Sequence, residues 1–443
     1  MKTYQDYEAA SDKIEFVKQA INEYRGSEEY RVALIADEYE RQRNTTISQY
    51  VKTLYDPQGR KAQDITSSNN RLCSNFFHRL NTQRCTYTLG NGVYLSDEVK
   101  ARLGDDFDTV MADAGYKALI HGVSYVLWNF DRAHVFPATE FCPLWDEYDG
   151  RLRAGIRFWS LDWAKRPVTA VLYTEEGFIK YRTKDGAKGL DLAEYEPLRA
   201  YRQRIESSAV DGDRIIGESN YGALPIVPLW GGKHKQSTLV GMREKIDSYD
   251  LIQSGFANDL QDCAEIYWII GNALGMDDND IAAFRDRMKL QHIAVADTDN
   301  SSVTPYVQDI PSAARTAFLN DIRASIYEDF GAMDVHTVAA GATNDHIDAA
   351  YQPMDEEADA FEYQIIQAVV QIERLNGIEP ETPKFKRNRI SNQREQTEMV
   401  MLAADHLDEE TLLNKLPFIS VDEVTKVLDS KDAESDNRFD AEE

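Results

Sequence analysis

Cysteine is scarce in this chain: four residues in 443, at Cys73, Cys85, Cys142 and Cys263. No two of them form a C-x-x-C pair, which argues against a zinc site or a disulfide framework and fits free thiols in a reducing compartment. Long apolar runs are missing as well. The most apolar stretch, IYWII at Ile266–Ile270, is far short of the roughly 20 residues a membrane-spanning helix needs. No membrane segment is therefore expected. The opening MKTYQDYEAASDK lacks the apolar core of a secretory leader. Positive charge is the third shortage: 49 Lys and Arg stand against 76 Asp and Glu, for a net charge of −27. A chain with that field does not grip DNA or an anionic membrane, although DNA can pass close to it without sticking.

Catalytic signatures are also absent. There is no G-x-S-x-G, no G-x-G-x-x-G and no H-E-x-x-H, and the eight histidines are dispersed. DTDNSS (Asp297–Ser302) begins like a calcium loop but lacks its glycine and its distal glutamate. Neither a metal nor a cofactor is expected. The stretch LWGGKHKQST (Leu229–Thr238) imitates a phosphate loop. However, Gly232-Lys233 is followed by His234 rather than Ser or Thr, and Val227 occupies the first glycine position. It reads instead as a connector, with Ser237 as a possible helix cap.

What is present is a sequence of contrasting blocks. With 443 residues, 42% of them hydrophobic, the chain has material for two to four structural units. Residues 8–56 show helical spacing. NNRLCSNFFHRLNTQRCTYTLGNGV (Asn69–Val93) reads as an amphipathic helix, a short strand and a turn at Gly90-Asn91-Gly92, and a further helix is expected at 97–121. From 122 to 228, β-branched and aromatic runs such as VSYVLWNF and TAVLYT alternate with turn signals such as DEYDG and TEEG, the pattern of an antiparallel meander. Beyond PIVPLW the pattern becomes helical. The spacing predicts long helices at 237–267, 311–331 and 347–376, a strand–helix–strand–strand insert at 268–309, and an acidic tail.

The helix expected at 237–267 has two faces. Met242, Ile246, Tyr249, Ile252, Phe256, Leu260, Cys263 and Tyr267 form an apolar stripe. Opposite lie Asp247, Asp250, Ser254, Asn258, Asp262 and Glu265, with no Lys or Arg among them. An acidic stripe is ordinarily a solvated face, and the alternative is the wall of a channel that must not hold a polyanion. The helix expected at 311–331 places Phe318, Ile322, Ile326 and Phe330 at spacings of four, with Pro311 in its first turn and Gly331 as its C′ residue. The insert carries Arg285, Arg287 and Lys289, a basic cluster that reads as a solvated helix face or a docking surface for an acidic partner. GAMDVHTVAAGATNDH then supplies a small-residue loop with Val335, His336, Thr337 and Val338 near its tip.

In this order the parts resemble the portal proteins of tailed bacteriophages, of the long-tailed siphophage type. The likeness rests on NNRLCSNFFHRL followed by YTLGNGV, on ALIHGVSYVLWNFD (Ala118–Asp131), on the run from LPIVPLW to CAEIYWIIG, and on FKRNRISNQREQTEM and HLDEETLLNKLPFISVDEV. It covers roughly residues 65–430, and the order of the motifs carries it. The resemblance implies an α+β, portal-like fold: a wing at 1–236, stem helix 1 at 237–267, a clip at 268–309, stem helix 2 at 310–331, a tunnel loop at 332–346, a long wing helix with its return segment at 347–389, and a short crown with the tail at 390–443.

It further implies a homo-dodecameric, non-enzymatic ring at one vertex of a capsid in the virion, assembled in the host cytoplasm. The ring would sit among major capsid and scaffolding proteins, dock a large terminase and then a head–tail adaptor, and pass double-stranded DNA without sequence specificity. In that setting the acidic stripe would line the channel, Val335–Val338 would tip the tunnel loop, and Arg285, Arg287 and Lys289 would belong to the docking clip. The alternatives are a DNA-processing enzyme with a carboxylate metal site, which needs no fixed spacing, and another virion or scaffold-interaction protein.

Overall fold

The computed structural model describes residues 1–55, 58–63, 68–130, 132–160, 167–183, 190–208, 212–262, 267–271, 302–306, 312–334, 343–388, 393–404 and 411–413. It is a mixed helix-and-sheet protein that divides into two units. One is built from 1–41, 76–242 and 327–443, the other from 42–75 and 243–326.

The first unit begins with α1 (Tyr4–Ala9), α2 (Lys13–Arg25) and α3 (Glu28–Glu40). Asp12 caps α2 by accepting from the Ile14 and Glu15 amides, 3.0 Å each. Its buried residues Phe16, Val17, Ala20, Ile21 and Tyr24 form one helical stripe. The chain then passes through the second unit, in α4 (Thr45–Ser48), β1 (Thr53–Tyr55) and β2 (Lys61–Gln63), and returns in α5 (Phe76–Leu89), α6 (Asp97–Leu103) and α7 (Phe107–His121).

Strands follow: β3 (Val123–Asn129), β4 (Arg132–Pro137), β5 (Phe141–Trp145), β6 (Leu152–Trp159), β7 (Thr169–Thr174), β8 (Gly177–Thr183), β9 (Leu192–Arg199), β10 (Arg202–Ser208), β11 (Gly212–Ser219) and β12 (Ile226–Trp230). They make an antiparallel meander β5–β9, a three-stranded sheet in the order β12-β3-β4, and a β10–β11 hairpin. The helices α8 (Arg243–Asp262) and α9 (Ser312–Phe330) flank the strand pair β13 (Tyr267–Gly271) and β14 (Ser302–Tyr306), and α10 (Asn344–Leu375) and α11 (Gln393–Leu402) follow.

The period-two alternation of strands layers the first unit. One face of the meander, with Cys142, Leu144, Ala154, Ile156 and Leu172, packs under the stripe of α2. The other face presents Phe141, Val171 and Tyr173 to Tyr125, Leu127 and Ile226 of the three-stranded sheet. The far side of that sheet, Val126, Trp128, Val227 and Leu229, meets Met111, Ala114 and Ala118 of α7 and Phe361, Ile365 and Ile372 of α10. Each large apolar side chain buried this way contributes at most about 1.5–3 kcal/mol.

Three expectations change. The predicted strand in YTLGNGV is the last turn of α5, because Tyr87, Thr88 and Leu89 are buried as helical residues. The helix expected at 97–121 splits into α6 and α7 at Gly104, whose φ is +89°. The helix expected from 237 starts only at Arg243, because Gly241 adopts φ +85° and 238–242 turn instead. The meander, the helix at 312–330 and the long helix at 344–375 agree with the sequence pattern.

Candidate functional site

The connector LWGGKHKQST joins β12 to α8. Three of its amides bond within the fold: Gly231 N donates to Gly122 O (3.0 Å), Lys235 N to Gly232 O (3.1 Å) and Thr238 N to Leu119 O (3.1 Å). The Lys235 ammonium lies 4.7 Å from the centre of the Trp230 ring. Ser237 is buried and its hydroxyl donates to Ile120 O. The stretch is a seam against the end of α7.

In the second unit, α8 and α9 run antiparallel. Lys245 near the start of α8 donates to Ser325 near the end of that unit's share of α9 (2.6 Å), whereas Asp259 near the end of α8 pairs with Arg315 near the start of α9. The strands between them pair antiparallel, Tyr267 against Tyr306 and Gly271 against Ser302.

The polar stripe of α8 does not face solvent as a whole. Asp250, Ser254 and Asn258 are buried, at 0%, 2% and 9% exposure. Their covering is the segment 70–74 of the same unit. Asn70 N donates to Asn258 Oδ1 (2.6 Å), Leu72 N to Ser254 Oγ (2.9 Å) and Ser74 N to Asp250 Oδ1 (2.8 Å). The register follows from two periods. Alternate residues of extended chain advance about 6.6 Å, and residues four apart on a helix advance about 6.0 Å. One backbone can thus place every second amide against every fourth helical side chain.

Asn44 Nδ2 adds a bond to Asp250 Oδ2, and Asn70 Nδ2 donates to Gln261 Oε1 (2.8 Å). Burial pushes the Asp250 carboxyl above the usual carboxylate range, against the pull of the hydrogen bonds from Asn44 and Ser74; neighbouring Asp247 raises it further.

This arrangement corrects the sequence expectation for three residues. Asp250, Ser254 and Asn258 serve as acceptors for main-chain amides inside the protomer and do not form an open wall. Asp247 is half-buried, accepts from Thr46 Oγ1 (2.6 Å) and lies 3.6 Å from Arg243. Asp262 closes α8, with its side chain outside the described residues, and Glu265 lies outside them altogether. The exposed positions of α8 include Glu244, Ser248, Leu251 and Leu260. Sequence reading missed Asn44 and the backbone of 70–74. The available signal was the polar run SSNNR beside three short acceptors spaced by four on α8.

The other predicted groups fall largely outside the described residues: Val335, His336, Thr337 and Val338 of the loop, and Arg285, Arg287 and Lys289 of the insert. The residues leading into the loop are held. Gly331 has φ +64° and ends α9 as expected. The buried Arg84 guanidinium donates to Phe330 O and pairs with Glu357 at 3.1 Å, and Gln83 Nε2 donates to Met333 O (3.0 Å). After α10, Arg387 gathers Asp355 (2.8 Å), Glu362 (2.9 Å) and Asp359, tying the return segment to the long helix. Among the described residues, no three His, Cys, Asp or Glu side chains converge as metal ligands, and no helix is long and apolar enough to cross a membrane.

Sequence comparison with known proteins gives a consistent family. The profile of the phage portal protein family, SPP1 Gp6-like, matches residues 34–437. The chain is similar to the portal protein of Bacillus phage SPP1, with 24% identity over 335 residues, covering 71% of this chain and 63% of that protein's length. It is also similar to the portal protein of Clostridium phage phiCD119, with 21% identity over 403 residues, covering 84% and 86% of the two chains. Among solved structures, the neck of a native gene transfer agent particle aligns at 11% identity with a TM-score of 0.42, over 77% of this chain and 89% of that one. Because the family profile spans nearly the whole sequence, this chain belongs to the phage portal proteins of the SPP1 Gp6-like family.

Proposed function

We propose that twelve copies of this chain form a ring at one vertex of a capsid, through which double-stranded DNA is packaged and later ejected. The observation that carries this reading is the family match over residues 34–437. The antiparallel pair α8 and α9, interrupted by a strand pair, supports it further. In this assignment the stem is α8 and α9, the clip lies at 268–309, and the tunnel loop at 332–346 leads into α10. The wing comprises 1–236 together with 347–389, and the crown lies at 390–443. The clip, with Arg285, Arg287 and Lys289, would dock a large terminase and then a head–tail adaptor, while the wing meets capsid and scaffolding proteins. Val335, His336, Thr337 and Val338 would approach the DNA. The ring would belong to the virion and assemble in the host cytoplasm.

The channel wall is reassigned within the stem. Asp250, Ser254 and Asn258 are occupied by the 70–74 backbone. The wall then falls to exposed carboxylates of the pair, Glu244 and Asp321, together with Asp262 and Glu265. Negative walls suit a passage that a polyanion slides through without binding. Native mass spectrometry of the purified chain tests the ring: a closed oligomer at or within one subunit of twelve copies is expected, and a stable monomer overturns the reading. Incubation with DNA and magnesium tests the enzyme alternative, and no turnover is expected.

A further inference from the structure

The stretch 42–75 is an electrostatic anomaly. It holds five Lys or Arg against two Asp, a net of +3, in a chain of net charge −27. Arg43, Lys61 and Arg71 are exposed, and none forms an ion pair with a carboxylate among the described residues. Lys61 Nζ sits 5.8 Å from the centre of the Tyr55 ring, across the β1–β2 hairpin. That hairpin has only three residues in each strand. It leaves Tyr50, Val51 and Tyr55 exposed at 40%, 48% and 63%. An isolated two-stranded hairpin is marginal in water, and exposed aromatic side chains are typical anchors of protein interfaces.

A surface of complementary character lies on α10. Asp345, Asp348, Gln352, Glu356, Asp359 and Tyr363 follow one another at spacings of three and four, so they share one face, and Tyr363 is 59% exposed. From Asp345 to Asp359 the row is about 21 Å long. Arg387 engages Asp359, but Asp345 and Glu356 have no cationic partner among the described residues.

We infer that Arg43, Tyr50, Val51, Tyr55, Lys61 and Arg71 of one copy dock on the acidic row of α10 in the next copy of the ring. The inference rests on the ring reading and names the contact that would build it. A head-to-tail contact of this kind joins two different patches and closes when repeated around an axis. Two observations favour a second copy over DNA. The duplex would have to approach through the field of a strongly acidic chain, and phosphates give no cover to Tyr50, Val51 and Tyr55, whereas Tyr363 does.

The test is a charge exchange read by native mass spectrometry. One variant carries Arg43→Glu, Lys61→Glu and Arg71→Glu, a second carries Asp345→Lys and Glu356→Lys, and a third carries all five. Circular dichroism checks that each folds. Each partial variant should lose closed rings by roughly ten-fold or more, since like charges then face each other, and the combined variant should recover them. Rings that persist in the first variant overturn the contact while the ring reading stands; if that variant instead stops retarding duplex DNA on a native gel, the patch is a nucleic-acid contact. Failure of the combined variant to recover rings also overturns it. A wild-type chain that stays monomeric removes the ring and this contact together.

Discussion

Asp250 shows what one side chain settles in this fold. Its two oxygens accept from Ser74 N and Asn44 Nδ2 in a fully buried place. Asp250→Ala orphans Ser74 N and removes one of the two acceptors of Asn44 Nδ2, which keeps Ser74 O at 3.2 Å, and each lost bond costs about 1–3 kcal/mol. Urea unfolding should therefore show a loss of roughly 2–5 kcal/mol, and a loss under about 1 kcal/mol would mean that water replaces the carboxylate. The pH dependence has a definite sign. Burial raises the folded pKa, so the contribution of Asp250 is fully present below its unfolded pKa, about 3.9. It is lost as pH rises through the raised folded value. The stability difference between wild type and Asp250→Asn should therefore shrink from acid toward neutral pH in denaturant titrations. A difference that grows would refute the burial argument. The acidity of position 250 was legible in the sequence. Its partners were not, since hydrogen bonds to the main chain of residues some 180 positions away leave no periodic trace.

Elements reveal where local pattern suffices. The stripe of α2, the end of α9 at Gly331 and the alternation in β5–β9 could be read from spacing alone, because each is a local rule that packing then obeys. The start of α8 could not, because one glycine outweighs six residues of helical pattern. Gly241 and Gly122 separate two causes of that requirement. Both have positive φ, +85° and +89°. A Cβ on Gly241 meets open space, whereas one on Gly122 would lie 2.7 Å from Ser237 N and Gln236 C. Gly241→Ala should cost about 1 kcal/mol, from backbone strain alone. Gly122→Ala should cost at least about 1 kcal/mol more, since it also forces the connector away from α7. Thermal unfolding of the pair checks the order, and equal shifts would show that the connector yields freely.

At the scale of the whole molecule, charge is the dominant property. A net charge of −27 repels DNA, and in the proposed ring this becomes useful at the exposed carboxylates of the stem. Glu244→Lys with Asp321→Lys should leave rings intact by native mass spectrometry and slow DNA packaging in a reconstituted assay. Packaging at the wild-type rate would remove these residues from the wall. Reading the stripe from sequence correctly identified a helix with an acidic side. It misjudged which carboxylates are open, because helical projection counts only the neighbours a helix carries with it and omits a strap arriving from elsewhere in the chain.

Composition, charge balance, the meander and the order of the blocks were determined by the sequence itself, since they depend on residue types and on periods of two and 3.6. The family was legible in that same order, and the profile match bears it out. Which face of α8 is covered, and by what, was decided only in three dimensions. The amides of 70, 72 and 74 had to find acceptors once removed from water, and the nearest regular row of short polar side chains was the stripe that looked free.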